Sequence, residues 1–287
     1  MGVRMPTSLR SGLVAVLALA LAGCPPLEPQ PGGSAPYSRD LGDGPDFSDP
    51  HSRIESTSWL EFEQTQLQGA FADGPDLRVH EESERIGSCR LMTFEASSCD
   101  PVCGDGEQCI SGECRAWPER IDRGDLQWTW PDGEQTVSPD GVLGYWATGT
   151  TSSAGEVTIA VEDLSLTAPT IAGAEATGDW EQALRMRAGD ATLRWSNPVL
   201  DARVRLHMTD CVGSHGGFAA AEIECEGPDT GELVIPDAFL TELEAGDWSR
   251  GECGSHTFER YHSATPEGDD GTRFETIGPS GLFYFPR

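Results

Sequence analysis

From Glu55 onward the chain runs in short apolar stretches broken by Gly, Asp and Pro. Val157, Ile159 and Val161 alternate with Thr158 and Ala160. Val204, Leu206 and Met208 alternate with Arg203, Arg205 and His207. Ala221, Ile223 and Cys225 alternate with Glu222 and Glu224. A period of two with polar partners predicts strands buried on one face. Short strands at this spacing, joined by Gly and Pro turns, predict a mainly β fold built as antiparallel sandwiches, one or two Ig-like modules, rather than a parallel sheet. One brief helical turn is expected at 237–243, where Asp237 could cap and Phe239, Leu240 and Leu243 share a face. Thr167-Ala168-Pro169 is the expected boundary between a β module at 53–168 and an Ig-like module at 169–287. Residues 25–52 are rich in Pro, Gly, Ser and Asp. They bury too little to offset ordering entropy, so a disordered, flexible tether is expected there.

The first 24 residues change the picture. Arg4 and Arg10 lead into an uncharged apolar run of ten residues, Leu13 to Ala22, which ends in Leu21-Ala22-Gly23-Cys24. That run is too short for a permanent membrane helix and suits a secretory signal core. Leu-Ala-Gly-Cys resembles the lipobox of bacterial lipoproteins. The resemblance implies cleavage before Cys24, acylation of its thiol and new amino terminus, and a domain order of signal peptide (1–23), anchor and linker (24–52), then body. Pro25 and Pro26 follow the cysteine with no Asp beside it, which by the same resemblance implies the outer membrane, on its periplasmic or cell-surface face. Several acyl chains would hold the protein firmly where one holds only marginally.

Charge and composition exclude several function classes. The chain has a formal charge of -29, about -31 once Arg4 and Arg10 leave with the signal. Such a surface repels phosphate backbones, so no nucleic-acid partner is expected. All 19 strongly basic side chains are arginine. The absence of lysine removes Schiff-base chemistry and any Walker-type phosphate loop. No G-x-S-x-G elbow, H-E-x-x-H helix or G-x-G-x-x-G junction occurs either. The expectation is a protein that is not an enzyme and carries no cofactor.

Five cysteines, Cys89, Cys99, Cys103, Cys109 and Cys114, lie within 26 residues, and Cys211, Cys225 and Cys253 follow. An exported chain with eight cysteines besides Cys24 reads as disulfide-stapled. The knuckle at 89–117 has little apolar content of its own and must be held by bridges. Parity constrains the pairing. If all eight pair, an odd number of bridges joins the two clusters; otherwise one thiol in each cluster is free, and Cys225, on the apolar face of its strand, is the expected free thiol of the second. Disulfides are therefore expected among Cys89, Cys99, Cys103, Cys109, Cys114, Cys211 and Cys253. Two readings remain for Cys211-Val-Gly-Ser-His215 and Cys253-Gly-Ser-His256. A Cys211–Cys253 bridge suits an oxidising compartment. The alternative is a tetrahedral zinc held by Cys211, His215, Cys253 and His256. Asp105 and Asp269-Asp270-Gly271 read as acidic turns and only weakly as calcium ligands, because they lack the acid spacing of an EF-hand loop.

The order of these features resembles a group of predicted surface lipoproteins from myxobacteria and related Gram-negative bacteria. The resemblance is carried by the lipobox, the Cys-rich knuckle ending Cys109-x4-Cys114, Ile223-Glu224-Cys225, and the strand end Leu233-Val234-Ile235-Pro236. It implies an address and a fold class and no activity. The resulting expectation is a lipid-anchored cell-envelope protein with a structural or interaction role toward a protein or glycan partner. The alternative is a module that binds glycans or metal ions, zinc or calcium. Trp128 and Trp130, two apart on a predicted strand, would stack on sugar if exposed and read as core if buried. Trp146, Trp180, Trp195 and Trp248 are expected to pack in the sandwich.

Overall fold

The alternating stretches form strands in the computed structural model, which describes residues 44–94, 98–209, 219–245, 256–267 and 271–283. In chain order the strands are β1 (Ser52–Trp59), β2 (Gln64–Ala70), β3 (Glu81–Ile86), β4 (Cys89–Thr93), β5 (Glu107–Ile110), β6 (Glu113–Ala116), β7 (Leu126–Trp130), β8 (Gly133–Val137) and β9 (Gly144–Gly149). They continue with β10 (Glu156–Val161), β11 (Leu164–Pro169), β12 (Glu175–Ala176), β13 (Ala191–Ser196), β14 (Arg203–Thr209), β15 (Ala221–Pro228), β16 (Glu232–Ile235), β17 (His256–Ala264) and β18 (Thr272–Phe283). Among the described residues the α-helices are α1 (Trp180–Arg185) and α2 (Asp237–Ala245), with a 3-10 turn at Leu60–Phe62. No helix among the described residues is long and apolar enough to cross a membrane.

A nine-stranded sheet in the order β3-β4-β15-β14-β17-β18-β1-β2-β9 forms the backbone of the fold. Its neighbours are antiparallel except β1 and β18, which run parallel with Ser52 opposite Thr272. The mainly β, antiparallel reading of the sequence therefore holds, with one parallel pair that joins the start and end of the body. One face of this sheet is covered twice. A four-stranded sheet, β11-β10-β7-β8, packs Trp128, Val157, Ile159 and Val161 with Ile54, Leu67, Tyr145 and Phe274. A three-stranded sheet, β12-β13-β16, joins α1 and α2 in packing Trp180, Trp195, Leu233, Phe239 and Leu243 against Val204, Leu206, Ile223 and Phe258. The charged partners in the alternation then fall on the opposite, solvated face, as expected for an antiparallel sheet packed on one side.

The boundary expected at Thr167-Ala168-Pro169 is corrected by this topology. Those residues end β11, where the chain leaves the first cover for the second, but the nine-stranded sheet takes strands from both sides of that point. All described residues belong to one compact unit. The passage between covers crosses β18 at van der Waals contact. A Cβ at Gly173 would lie 2.1 Å from Pro279 O, and one at Gly278 would lie 2.5 Å from Ala172 C, so only glycine fits at this crossing.

Among the described residues, three disulfides staple the fold: Cys89–Cys225, Cys99–Cys109 and Cys103–Cys114. Cys225 is therefore not a free thiol. Register explains the correction, because Cys225 lies directly opposite Cys89 on neighbouring strands. Cys24, Cys211, His215, Cys253, Trp248, Asp269 and Asp270 lie outside the described residues. Asp105 is an exposed turn residue before β5. The helix at 237–243 forms as expected with Phe239, Leu240 and Leu243 buried. Asp237, however, does not cap it. It sits in the first turn, where its carboxylate accepts from Arg187 Nε at 2.8 Å.

Candidate functional site

Period-two alternation on six neighbouring strands, β4 to β1 in the sheet order, places one charged lattice on the face of the large sheet away from its two covers. In register, Glu224 of β15 lies opposite Arg90 and His207, and Arg205 of β14 lies opposite Glu226 and Glu259. Arg53 lies opposite Arg273, and Glu55 opposite Glu275. Arg205 is the hub. It donates to Glu259 and Glu275 at 2.6 Å each and reaches Glu55 at 3.4 Å, while its guanidinium lies 4.9 Å over the Tyr261 ring. Glu226 accepts from Arg203 Nη2 and from the Tyr261 hydroxyl, both at 2.7 Å. Glu224 takes Arg78 at 2.7 Å and Arg90 Nε at 2.7 Å.

The segment before β1 closes over this lattice. Asp46 accepts from Arg273 at 2.8 Å, Asp49 takes Arg78 through two bonds, and the Phe47 ring lies 4.4 Å from the Arg90 guanidinium and 5.0 Å from that of Arg85. The tether expected to run to residue 52 thus ends earlier. Residues 46–49 are seated on the body, and Ser52 already belongs to β1. Beneath this strap is a cavity of about 250 Å³ lined by Phe47, Arg90, Arg205, Glu226 and Tyr261.

The electrostatics are those of a closed ionic network. Burial pushes the Glu275 carboxyl up, but Arg205, Arg53 and Arg273 outweigh it and hold it below the usual range. Burial acts likewise on Glu224, and Arg78 and Arg90 outweigh it. On Glu222, burial is outweighed by His207 and then His80. Each of these acids is held ionised, the opposite of a carboxyl tuned to donate a proton at neutral pH. His256 is a different case. It faces the core side of β17, and burial, with a smaller contribution from His207, lowers it to about 4.

A wider groove of about 860 Å³ opens beside the lattice. Arg53, Glu55 and Gln68 form its floor, residues 49–51 and 76–78 one wall, and Trp117, Pro118 and Arg120 another. The knuckle positions Trp117. Its two bridges hold the β5–β6 hairpin, which ends at Ala116, and the Trp117 N–H donates to Gly106 O at 2.9 Å. Pairing of 119–121 with 71–73 then fixes the next turn of chain. Trp117 is 45% exposed and Trp146, directly opposite Gln68 on edge strand β9, is 63% exposed. Three carboxylates (Asp49, Glu55, Asp76) and three guanidiniums (Arg53, Arg78, Arg120) line the groove, so it is balanced in charge on an otherwise acidic chain.

The structure distributes the sequence-predicted residues unevenly. Trp128 and Trp130 are buried, which counts against a sugar-stacking strip there, and Trp180 and Trp195 pack in the core as expected. Trp146 does not. On β9 it is Tyr145 and Ala147 that face inward, so period two turns Trp146 to solvent. Of the zinc set, only His256 is described, and it is fully buried. Trp117 and the Arg–Glu lattice were not singled out in the sequence. The signal for the lattice was present in β14 and β15, whose polar positions are basic on one strand and acidic on the other. No protein-family model matches the chain, and no curated protein matches it.

Proposed function

We propose that this is a lipid-anchored protein of the cell envelope, held at Cys24, whose body serves a non-enzymatic interaction role at the outer membrane. The observation that carries the interaction role is the groove walled by Trp117. A large, half-exposed indole, fixed by a disulfide-stapled hairpin over a floor of polar side chains, is suited to binding rather than to packing. The ionic lattice supports a rigid frame under it, since its acids are already neutralised by arginine. The second reading, a glycan as the partner, is favoured by two exposed indoles suited to stacking, Trp117 on the groove wall and Trp146 opposite Gln68 on the neighbouring edge strand. The balanced charge of the groove suits a neutral saccharide.

The test is photo-crosslinking in cells that carry the full chain with a photoreactive residue in place of Trp117. Discrete adducts at 117, and none from the exposed β10–β11 turn at Asp163, are expected. Adducts shortened by glycosidases would select the glycan reading, and protein adducts the first. Absence of adducts at 117, or the same adducts from 163, would overturn the interaction role.

A further inference from the structure

The trough on the lattice face continues past the strap. Arg53 and Arg78 line both the cavity under residues 46–49 and the groove beside it. Under the strap the chain's own segment supplies the acids. Asp46 meets Arg273, Asp49 meets Arg78, and the Phe47 ring lies against the guanidiniums of Arg85 and Arg90. In the groove two arginines have no such partner. Arg53 Nε is buried without a hydrogen bond, and the nearest carboxylates, Glu55 and Glu275, stand 3.8 and 4.0 Å from its guanidinium, beyond hydrogen-bond reach. Arg120 donates to the Val142 carbonyl at 3.0 Å and makes no ion pair among the described residues. We infer that the groove binds an extended acidic segment of a protein partner, with carboxylates seated on Arg53 at the floor and Arg120 at the wall.

Three observations carry this. The first is uncommitted charge. The groove is balanced by formal count, yet Asp49 is bound to Arg78, and Glu55 accepts from Gln68 at 2.9 Å and lies 3.4 Å from Arg205. The acid beside Arg120, Asp140, spends its carboxylate on the N–H groups of Val142 and Gly144. Arg53 and Arg120 are left against Asp76, an open excess of positive charge on a chain of formal charge -29. A guanidinium fork matches a carboxylate. The second is shape. Arg53 lies opposite Ala70 of β2, and Ala72, just past the end of that strand, lies opposite Arg120. On this face the side chains between the two arginines are methyl groups, which leave room for a main chain, while Trp117 and Pro118 give the wall an apolar surface. The third is the strap itself. This face already holds one short acidic segment through Arg–Asp pairs and a ring against guanidinium. A neutral saccharide would leave both arginines without an anion, so a peptide fits better. The inference deepens the groove reading and rests on it.

The test probes an array of immobilised random short peptides with the detergent-solubilised full chain, then measures the affinity of the retained peptides by fluorescence anisotropy. Retained peptides are expected to be enriched in Asp and Glu, although a chain of this charge repels acidic peptides in general. Exchanging those acids for Asn and Gln should weaken binding by about tenfold or more. Arg53→Gln and Arg120→Gln should each do the same, and Arg194→Gln, at an exposed position on the three-stranded cover, should leave binding unchanged. Arg120 is exposed, so its variant keeps the proposal falsifiable even if the change at Arg53 disturbs folding. No retained peptide, binding indifferent to the acids, or full binding in both Arg53→Gln and Arg120→Gln would overturn the proposal. Retention of polygalacturonate in place of any acidic peptide would also overturn it and assign the carboxylate to a glycan. Photo-crosslinks at 117 that persist through such a failure leave the groove reading standing, whereas their absence strikes the groove itself.

Discussion

Replacing both Cys89 and Cys225 by alanine is expected to cost the body about 5 kcal/mol of stability in the chain-entropy account. The bridge closes a loop of sequence separation 136, and the entropy it removes from the unfolded chain grows with that length. Within the loop lie the knuckle, the whole four-stranded cover, β12 and β13 of the three-stranded cover, and β9 and β14 of the large sheet. Reduction therefore releases the unfolded chain over nearly half the protein. The two sulfurs are also buried in the core, at 0% and 1% exposure, so alanine leaves space there as well. A loss of this size is comparable with the entire stability of an ordinary domain. The knuckle bridges differ, since Cys99–Cys109 and Cys103–Cys114 close separations of only 10 and 11. Their removal should loosen the hairpin and the seat of Trp117 while the body stays folded. Urea unfolding of the oxidised chain and of each double variant checks both statements. A Cys89→Ala/Cys225→Ala variant within 1 kcal/mol of the parent would contradict the first.

Glu275→Ala should be the next most damaging change, with a loss of about 3–5 kcal/mol. The side chain is fully buried, accepts from Arg205 at 2.6 Å, and faces Arg273 at 3.6 Å and Arg53 at 4.0 Å. Removing it leaves guanidinium charge on the sheet without its central partner, which costs more than the pair contributes when intact. The same carboxylate predicts an acid limb in the stability curve. Its pKa is depressed in the folded state, so its contribution is complete above the unfolded value of about 4.3 and is lost as pH falls through the folded value. Glu222 and Glu224 act in the same sense. Buried His256, lowered to about 4, adds a loss that begins as pH drops below about 6.5, where the unfolded chain takes up the proton first. Stability should therefore fall from pH 6.5 downward and more steeply below about 4.5. Glu275→Gln should flatten the lower part of that fall. Denaturation between pH 3 and 7 measures it, and parallel curves for parent and Glu275→Gln would contradict the assignment.

Much of this arrangement was legible in the sequence because strand periodicity is local. The alternations at 157–161, 203–208 and 221–225 name β10, β14 and β15 and assign their inward residues, and the face of Phe239, Leu240 and Leu243 names α2. What was missed depends on pairing between distant segments. The parallel contact of β1 with β18 has no local signal. The Cys89–Cys225 bridge follows from strand register, which parity alone does not give. Trp146 looked like core because the strand Gly-Tyr-Trp-Ala-Thr-Gly can bury either aromatic, and only the position of the cover decides that Tyr145 goes in. Residues 46–49 have the composition of a tether, yet two carboxylates and one phenyl ring meet arginines from four other segments. The groove was invisible for the same reason, since its walls come from residues 49–51, 76–78 and 117–120.

The measurement that bears most directly on the proposed role is made in cells and compares the full chain with a Cys24→Ser variant. The parent should incorporate labelled fatty acid and sediment with outer membranes, and the variant should lose both. A variant that keeps the label and the membrane fraction would contradict the lipid-anchored reading.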